Sequence, residues 1–403
     1  MTIQLLVTDK DLNYLGDPLD GWTDLTSTLT FNQPASGQVT LPAWPEVMAL
    51  LQPGNRLVVI RDGAIWSAGP METPQDYSWG AGGDVGEPDP GKVTVSFSDD
   101  LARIAGYLTY PDPTKAFSAQ STATDAVYAL TATDAETIIR TLINANCGPG
   151  AITARRVGGL ALDAVAGVGS TTAISTRLEP LLDVCRTVAA TDGLGFRTRQ
   201  VDDQILFGVY EPADRTATAR FSAGLGNLRS VQFKMAAPTA TQELVVGGDL
   251  GDPTASPATP STRVYVEVDA GTAADWYRVE KFVDQSGTTN ANGELNQAGA
   301  LELGNDNPTA SLSTATVDVP DDPGQPGTGL IAGRDYGLGD LVTVELPTGL
   351  ALTDVVRSIT LTAQPNDGEL VTSVIGTSDA TTSTATVQLI RNLARRLGRL
   401  EAR

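Results

Sequence analysis

Apolar residues fall at alternate positions through the first hundred residues. Ile3, Leu5 and Val7 do so, as do Val93, Val95 and Phe97, the period of two that marks a strand with one buried face. The run Leu57-Val58-Val59-Ile60 leads into Arg61-Asp62-Gly63 and then Ala64-Ile65-Trp66, a hairpin turning at Asp-Gly. Pro45 to Leu51 reads as one short helix, and the Gly/Pro/Asp-rich stretch from Gly80 to Gly91 as a surface loop.

The period changes near residue 106. Thr133-Asp134-Ala135-Glu136 fits a capping box, with Thr133 capping and Glu136 three residues on. Ile139, Leu142 and Ile143 follow at helical spacing until Cys147-Gly148-Pro149 ends the run. Leu178, Leu181, Leu182, Cys185 and Val188 form a second apolar stripe, closed by Asp192-Gly193. A hairpin comes next, Phe196 to Val201 returning through Ile205, Phe207 and Val209 about a turn at Asp202-Asp203-Gln204.

Strands resume at Leu228 to Phe233 and Glu243 to Val246, followed by a Pro/Ser/Thr-rich loop from Gly251 to Thr262. Two weaker helical segments are expected, around Ala273 to Val283 and Gly293 to Leu303, before a loop from Pro320 to Gly329. Strands return at Leu341 to Leu346, Val355 to Thr362 and Leu370 to Ile375. Gly376 to Thr386 reads as a tether and Val387 to Arg403 as a helix. One internal echo is present: Gly54-Asn55-Arg56-Leu57-Val58-Val59-Ile60 and Gly339-Asp340-Leu341-Val342-Thr343-Val344 each set a glycine turn before a strand.

Charge and composition narrow the chemistry. The chain has 403 residues, a formal net charge of -21 and no histidine. The charge disfavours binding to nucleic acid over the whole body. The missing imidazole removes Ser-His-Asp and Cys-His arrangements, the usual zinc sites and the commonest general base. Cys147 and Cys185 are read as small core residues or as a single bridge. No basic start followed by a long apolar run suggests a signal peptide, and the longest apolar stretches are of strand size, so no membrane anchor is expected.

Chemistry-bearing motifs fail on inspection. Gly86-Glu87-Pro88-Asp89-Pro90-Gly91-Lys92 matches the opening of a phosphate-binding loop, but Val93 stands where Ser or Thr is needed. Two prolines also remove amide donors, and two carboxylates would repel phosphate. Gly193-Leu194-Gly195 and Gly224-Leu225-Gly226 lack the third glycine of a dinucleotide fingerprint. The acidic doublets Asp99-Asp100, Asp202-Asp203 and Asp321-Asp322 are read as solvated turn residues, because neighbours on a strand point apart and cannot face one sugar. Asp284 to Asn290 lacks the carboxylates and the glycine of a calcium loop. No catalytic, cofactor-binding or metal-binding residue is assigned.

The C-terminal stretch carries the sharpest local pattern. Ile390, Leu393, Leu397 and Leu400 follow the 3-4-3 spacing of a two-heptad seam, and Arg396 and Glu401 fall where opposite charges pair between parallel chains. Residues 391–403 carry a net charge of +4. These six residues are the expected oligomerisation element, through self-association or a partner; an amphipathic helix docked on its own body is the alternative.

Pro53 to Ile60, Trp66-Ser67-Ala68-Gly69 and Val93 to Leu101 resemble the opening barrel of tailed-phage baseplate hubs. Val279 to Asp284, Glu294-Leu295, Tyr336 to Val344 and Val356 to Thr360 extend the likeness to hub-like minor tail proteins of long, non-contractile-tailed siphoviruses of actinobacteria. The resemblance covers most of residues 1–380. It implies a mainly β fold with α/β insertions: two related β-barrel domains, inserted α/β domains and a C-terminal helix. On that scheme residues 1–105 with 216–238 make the first barrel, 106–215 an α/β insert, and 239–250 with 336–380 the second barrel. Residues 251–335 form a loop and helix insert, and 381–403 the tether and helix.

The resemblance also implies a structural, non-enzymatic role without a cofactor. Three chains would close a ring whose six barrels match a sixfold tail tube on one side and a threefold tip on the other. The expected partners are two further copies, the distal tail protein ring, downstream tail-tip or receptor-binding proteins and the tape measure protein. DNA passes as cargo, repelled by an acidic conduit. The expected location is the tail tip of the virion, after assembly in the host cytoplasm. Some relatives carry a C-terminal peptidase or lysozyme domain; the 17-residue final helix leaves no length for one here. Two other readings are a glycan-binding or glycan-hydrolysing tail protein and a distal tail ring protein. With aromatics at only 5% of residues, a rich sugar-stacking surface is not expected.

Overall fold

The computed structural model describes residues 3–376 except 73–75, 81–88, 124–125, 252–253, 270, 272–275, 287–293, 307–308 and 366–367. The chain is mainly β, as the alternating pattern predicts. It divides into one unit of residues 1–229, 315–344 and 355–375, and a second of 230–314, 345–354 and 376–403.

The first unit opens as two facing sheets. One contains the strands Ile3–Thr8, Arg56–Arg61 and Ala64–Pro70. The other has Asp24–Thr30 and Gln33–Pro42 at its centre, flanked by Lys92–Ser98. Leu5, Val7, Leu57 and Val59 of the first sheet meet Leu25, Val39, Leu41, Val93, Val95 and Phe97 of the second in one buried core. Pro45–Leu50 is the expected short helix, and its Val47 packs into the same core. The sheets are stitched along one edge, where Met71 bridges Phe97 and Glu72 N–H donates to Ser96 O at 2.8 Å. Among the described residues no sheet closes on itself into the expected barrel. Two layers hide their apolar faces against each other, so burial does not require closure.

Turn chemistry sets the registers. Asp62 and Gly63, at φ of 51° and 80°, join the Arg56 and Ala64 strands as the Asp-Gly signal predicts. Gly37 lies opposite Phe97, and a Cβ there would meet the ring at 2.2 Å, so the phenyl group occupies space that only glycine leaves free.

The α/β segment packs two helices, Ala135–Asn146 and Leu181–Asp192, on the hairpin of Gly195–Val201 and Gln204–Tyr210. The first helix starts one residue later than the capping box implies. Asp134, not Thr133, is the cap, accepting Thr137 N–H at 2.7 Å. Glu136 therefore sits too early to reach back. It is fully buried, and its carboxylate accepts the N–H groups of Ala166, Gly167 and Val168 at 2.8, 2.6 and 3.1 Å. The second helix also starts later, because Leu178 has φ 54° and stays outside it; Gly193 at φ 67° ends it as expected. Cys147 and Cys185 are both buried and both free thiols. Burial, opposed by the Arg155 charge, pushes the Cys147 thiol up to about 12, so it is an inert core group.

The C-terminal strands return to the beginning of the chain. Ala351–Gln364 pairs with Gly368–Ile375 on one side and, antiparallel, with Asp24–Thr30 on the other, Ser358 opposite Thr30 and Ala363 opposite Leu25. The two echoing glycines have matching conformations, φ 89° at Gly54 and 86° at Gly339. Their strands lie in different sheets.

In the second unit, Gln242–Asp249 lies between Arg263–Asp269, antiparallel, and Glu280–Gln285, parallel. Helix Glu294–Asp306 packs on this sheet, with Leu295 against Val245 and Val283. The helix matches expectation, but Glu280–Gln285 is a strand where a helical segment around Ala273 to Val283 was expected. Pairing with Gln242–Gly247 decides it: Val283 faces the core while Phe282 points to solvent.

Candidate functional site

A cleft of about 660 Å³ opens within the first unit. It is lined by Ile65 to Ala68 of one strand and by Phe196 to Val201 of another segment. Tyr210, Arg215, Arg334 and Tyr336 also line it.

Beneath it lies a buried ionic cluster. Arg56 starts a strand whose Leu57, Val58 and Val59 are fully buried, and is itself only 1% exposed. Its guanidinium donates from Nε to Asp100 Oδ1 at 3.1 Å and from Nη2 to Asp100 Oδ2 at 2.5 Å. Nη1 reaches Thr8 Oγ1 at 2.9 Å, and Nη2 also reaches Gln200 Oε1 at 3.0 Å. One side chain thereby ties two strands of the first sheet, the helix Leu101–Ala105 and the α/β hairpin together.

Asp99 and Asp100 thus depart from the solvated turn expected of them. Loss of water, and after it the neighbouring Asp100 charge, pushes the Asp99 carboxyl up to about 7, opposed by backbone donors such as Leu101 N–H at 3.1 Å. The other doublets differ. Asp202 and Asp203 are exposed turn residues as expected, whereas Asp321 accepts Arg334 Nη1 at 2.6 Å and is held well below the usual carboxylate range. The signal for the buried pair lay in the Arg56 strand: a guanidinium alternating with Val58 on a strand apolar on both faces requires a buried counter-charge.

In the second unit, Glu243 is fully buried. Burial first, then a hydrogen bond with Asp306 and the charges of Asp306 and Glu302, push its carboxyl up to about 7 from 4.5, against the opposing charge of Lys281. Lys281 Nζ donates to Glu302 Oε2 at 3.2 Å and Asp306 Oδ2 at 2.5 Å. A carboxyl raised on folding stabilises the fold fully below its unfolded pKa and loses that contribution as pH rises through about 7. The Glu243 contribution is expected to fall by about 1 kcal/mol between pH 6 and 8. Glu243→Gln should remove that share of the slope, read from urea unfolding at the two pH values; an unchanged slope contradicts the assignment.

Among the described residues no group of three or more acidic or cysteine side chains is placed to hold a metal ion, and no helix is long and apolar enough to cross a membrane. Of the phosphate-loop look-alike, Gly86 to Pro88 lie outside the described residues, and Lys92 begins a strand. The expected oligomerisation residues Ile390, Leu393, Arg396, Leu397, Leu400 and Glu401 also lie outside them.

A family model described as Siphovirus ReqiPepy6 Gp37-like protein matches residues 3–377. The chain belongs to that family. No curated protein matches the sequence. Among solved structures, the Gp37-like fold is similar to the 43 kDa tail protein of prophage MuSo2 from Shewanella oneidensis, with 13% identity, a TM-score of 0.54 and coverage of 93% of this chain and 98% of that one. It is also similar to a tail protein from Neisseria meningitidis MC58, at 12% identity, TM-score 0.53 and coverage of 94% and 97%. The Gp37-like chain is a siphovirus protein with the fold of phage tail proteins, which bears out that part of the resemblance.

Proposed function

We propose that this Gp37-like chain is a structural subunit of the virion tail, a baseplate hub at the tail tip. Three copies form a ring that adapts the sixfold tail tube to the threefold tip, each chain contributing two β modules. The observation that carries this reading is the family match over residues 3–377, joined to a fold shared with tail proteins over nearly the whole chain. The net charge of -21 supports a conduit that lets DNA slide past without holding it. The partners on this reading are the distal tail ring above, tip or receptor-binding proteins below and the tape measure protein. The role is non-enzymatic and requires no cofactor.

Light scattering of the purified chain is expected to give three times the 42.0 kDa monomer mass, and antibody-gold labelling should mark the tail tip. A monodisperse monomer at micromolar concentration, or label along the tube, sinks the proposal. Leu393→Asp with Leu397→Asp is expected to weaken trimer formation or partner attachment at least tenfold, because a two-heptad seam cannot bury two carboxylates. Unchanged assembly and attachment would show that the terminal helix only docks on its own body.

A further inference from the structure

The strand Gly195–Val201 is an edge of its sheet, paired with Gln204–Tyr210 and with no strand on its other side among the described residues. Ile205 N–H donates to Gly159 O, and Phe207 O accepts Asp163 N–H, so the backbone of 205 and 207 points away from this edge strand. Their register partners, Gln200 and Thr198, therefore turn their own N–H and C=O groups to the free edge, and both residues line the cleft.

The first step of a ladder on that edge is already occupied. Asn32 Oδ1 accepts Phe196 N–H at 2.8 Å, and Asn32 Nδ2 donates to Leu194 O at 2.9 Å. A side-chain amide thus takes the place of one peptide group of a neighbouring strand. Beyond it the edge continues through Thr198 and Gln200 without a proline or bulge to blunt it. Gln200 is 8% exposed with Nε2 unpartnered, and Trp66, which also lines the cleft, has an unpartnered Nε1.

We infer that this cleft receives an extended segment of another polypeptide, which pairs as a strand with Thr198 and Gln200. The segment carries acidic side chains. The exposed charges that line the cleft are Arg197, Arg199, Arg215, Arg334 and one acid, Glu211, with Asp99 half-buried and Asp100 and Asp340 buried. Arg199, Arg215 and Arg334 already face the carboxylates of Asp163, of Asp340, and of Asp321 and Asp335, whereas Arg197 lies over the Tyr210 ring.

The inference rests on the chain being part of an assembled tail, not on the number of copies. The test places a photo-crosslinking benzoylphenylalanine at Val201, an exposed residue of the cleft wall, in protein assembled into virions. Mass spectrometry is expected to find one extended acidic segment of a different chain joined there, and none at Val165, which is exposed and does not line the cleft. Thr198→Pro removes an outward amide and should cut the crosslink at least tenfold, whereas Thr198→Ser should preserve it. If Thr198→Pro does not fold, amide exchange decides: Thr198 and Gln200 should exchange at least tenfold more slowly in virions than in the isolated protein. Crosslinks confined to the same chain, or equal exchange rates, overturn the inference. Absence of the protein from virions overturns the proposed function as well; presence without a crosslink overturns this inference alone.

Discussion

Asp100→Ala is expected to lower the unfolding free energy by about 3–5 kcal/mol, read as a fall in urea midpoint at constant slope. A guanidinium keeps its charge in a protein interior, and without Asp100 the hydrogen bonds left to that of Arg56 among the described residues are those to Thr8 and Gln200. Most of the cost is this stranded cation, not a lost attraction. The double change Arg56→Met with Asp100→Leu should therefore recover most of the loss, since apolar replacement of a buried pair is often neutral or better. A single-variant cost below about 1 kcal/mol would place the pair with weak surface bridges and contradict its burial.

Phe207→Ala should cost a comparable amount, about 3–5 kcal/mol. Phe207 is fully buried, and its ring lies 5.9 Å from that of Phe196 in a stacked arrangement. Ile138, Ile139, Leu142, Leu181 and Cys185, all fully buried, belong to the same cluster. Helices anchored in the same cluster cannot collapse into such a cavity without losing their own contacts. Urea unfolding gives the magnitude, and faster amide exchange along Ala135–Asn146 would locate it. A loss below about 1 kcal/mol would mean that the cluster refills the space.

Local structure was legible where local chemistry decides it. The Asp62-Gly63 turn, the helix ending at Gly193 and the alternation of Ile205, Phe207 and Val209 each follow from a few adjacent residues. Ala135–Asn146 starts one residue later than the capping box implies, since both Thr133 and Asp134 can cap and the strand Tyr128–Asp134 runs on through Asp134, opposite Thr171, before the helix begins. Glu280–Gln285 overlaps the segment around Ala273 to Val283 expected as helix; its strand state comes from a partner nearly forty residues earlier. The ionic cluster was hidden for a similar reason. In a chain with 48 acidic residues, an Asp-Asp doublet carries little information, and Arg56 and Gln200 meet only through tertiary contact, 144 positions apart.

Thr28 and Thr360 share a hydrogen bond across 332 positions of sequence. During synthesis, then, the strand Asp24–Thr30 leaves the ribosome long before the partner that will cover its free edge. That edge stays available for wrong partners while nearly all the remaining polypeptide is made. A search closed this late, over such a distance, makes for slow maturation and a need for protection from sticky neighbours. Stop codons placed anywhere before Ser358 should yield material that aggregates instead of a smaller folded core.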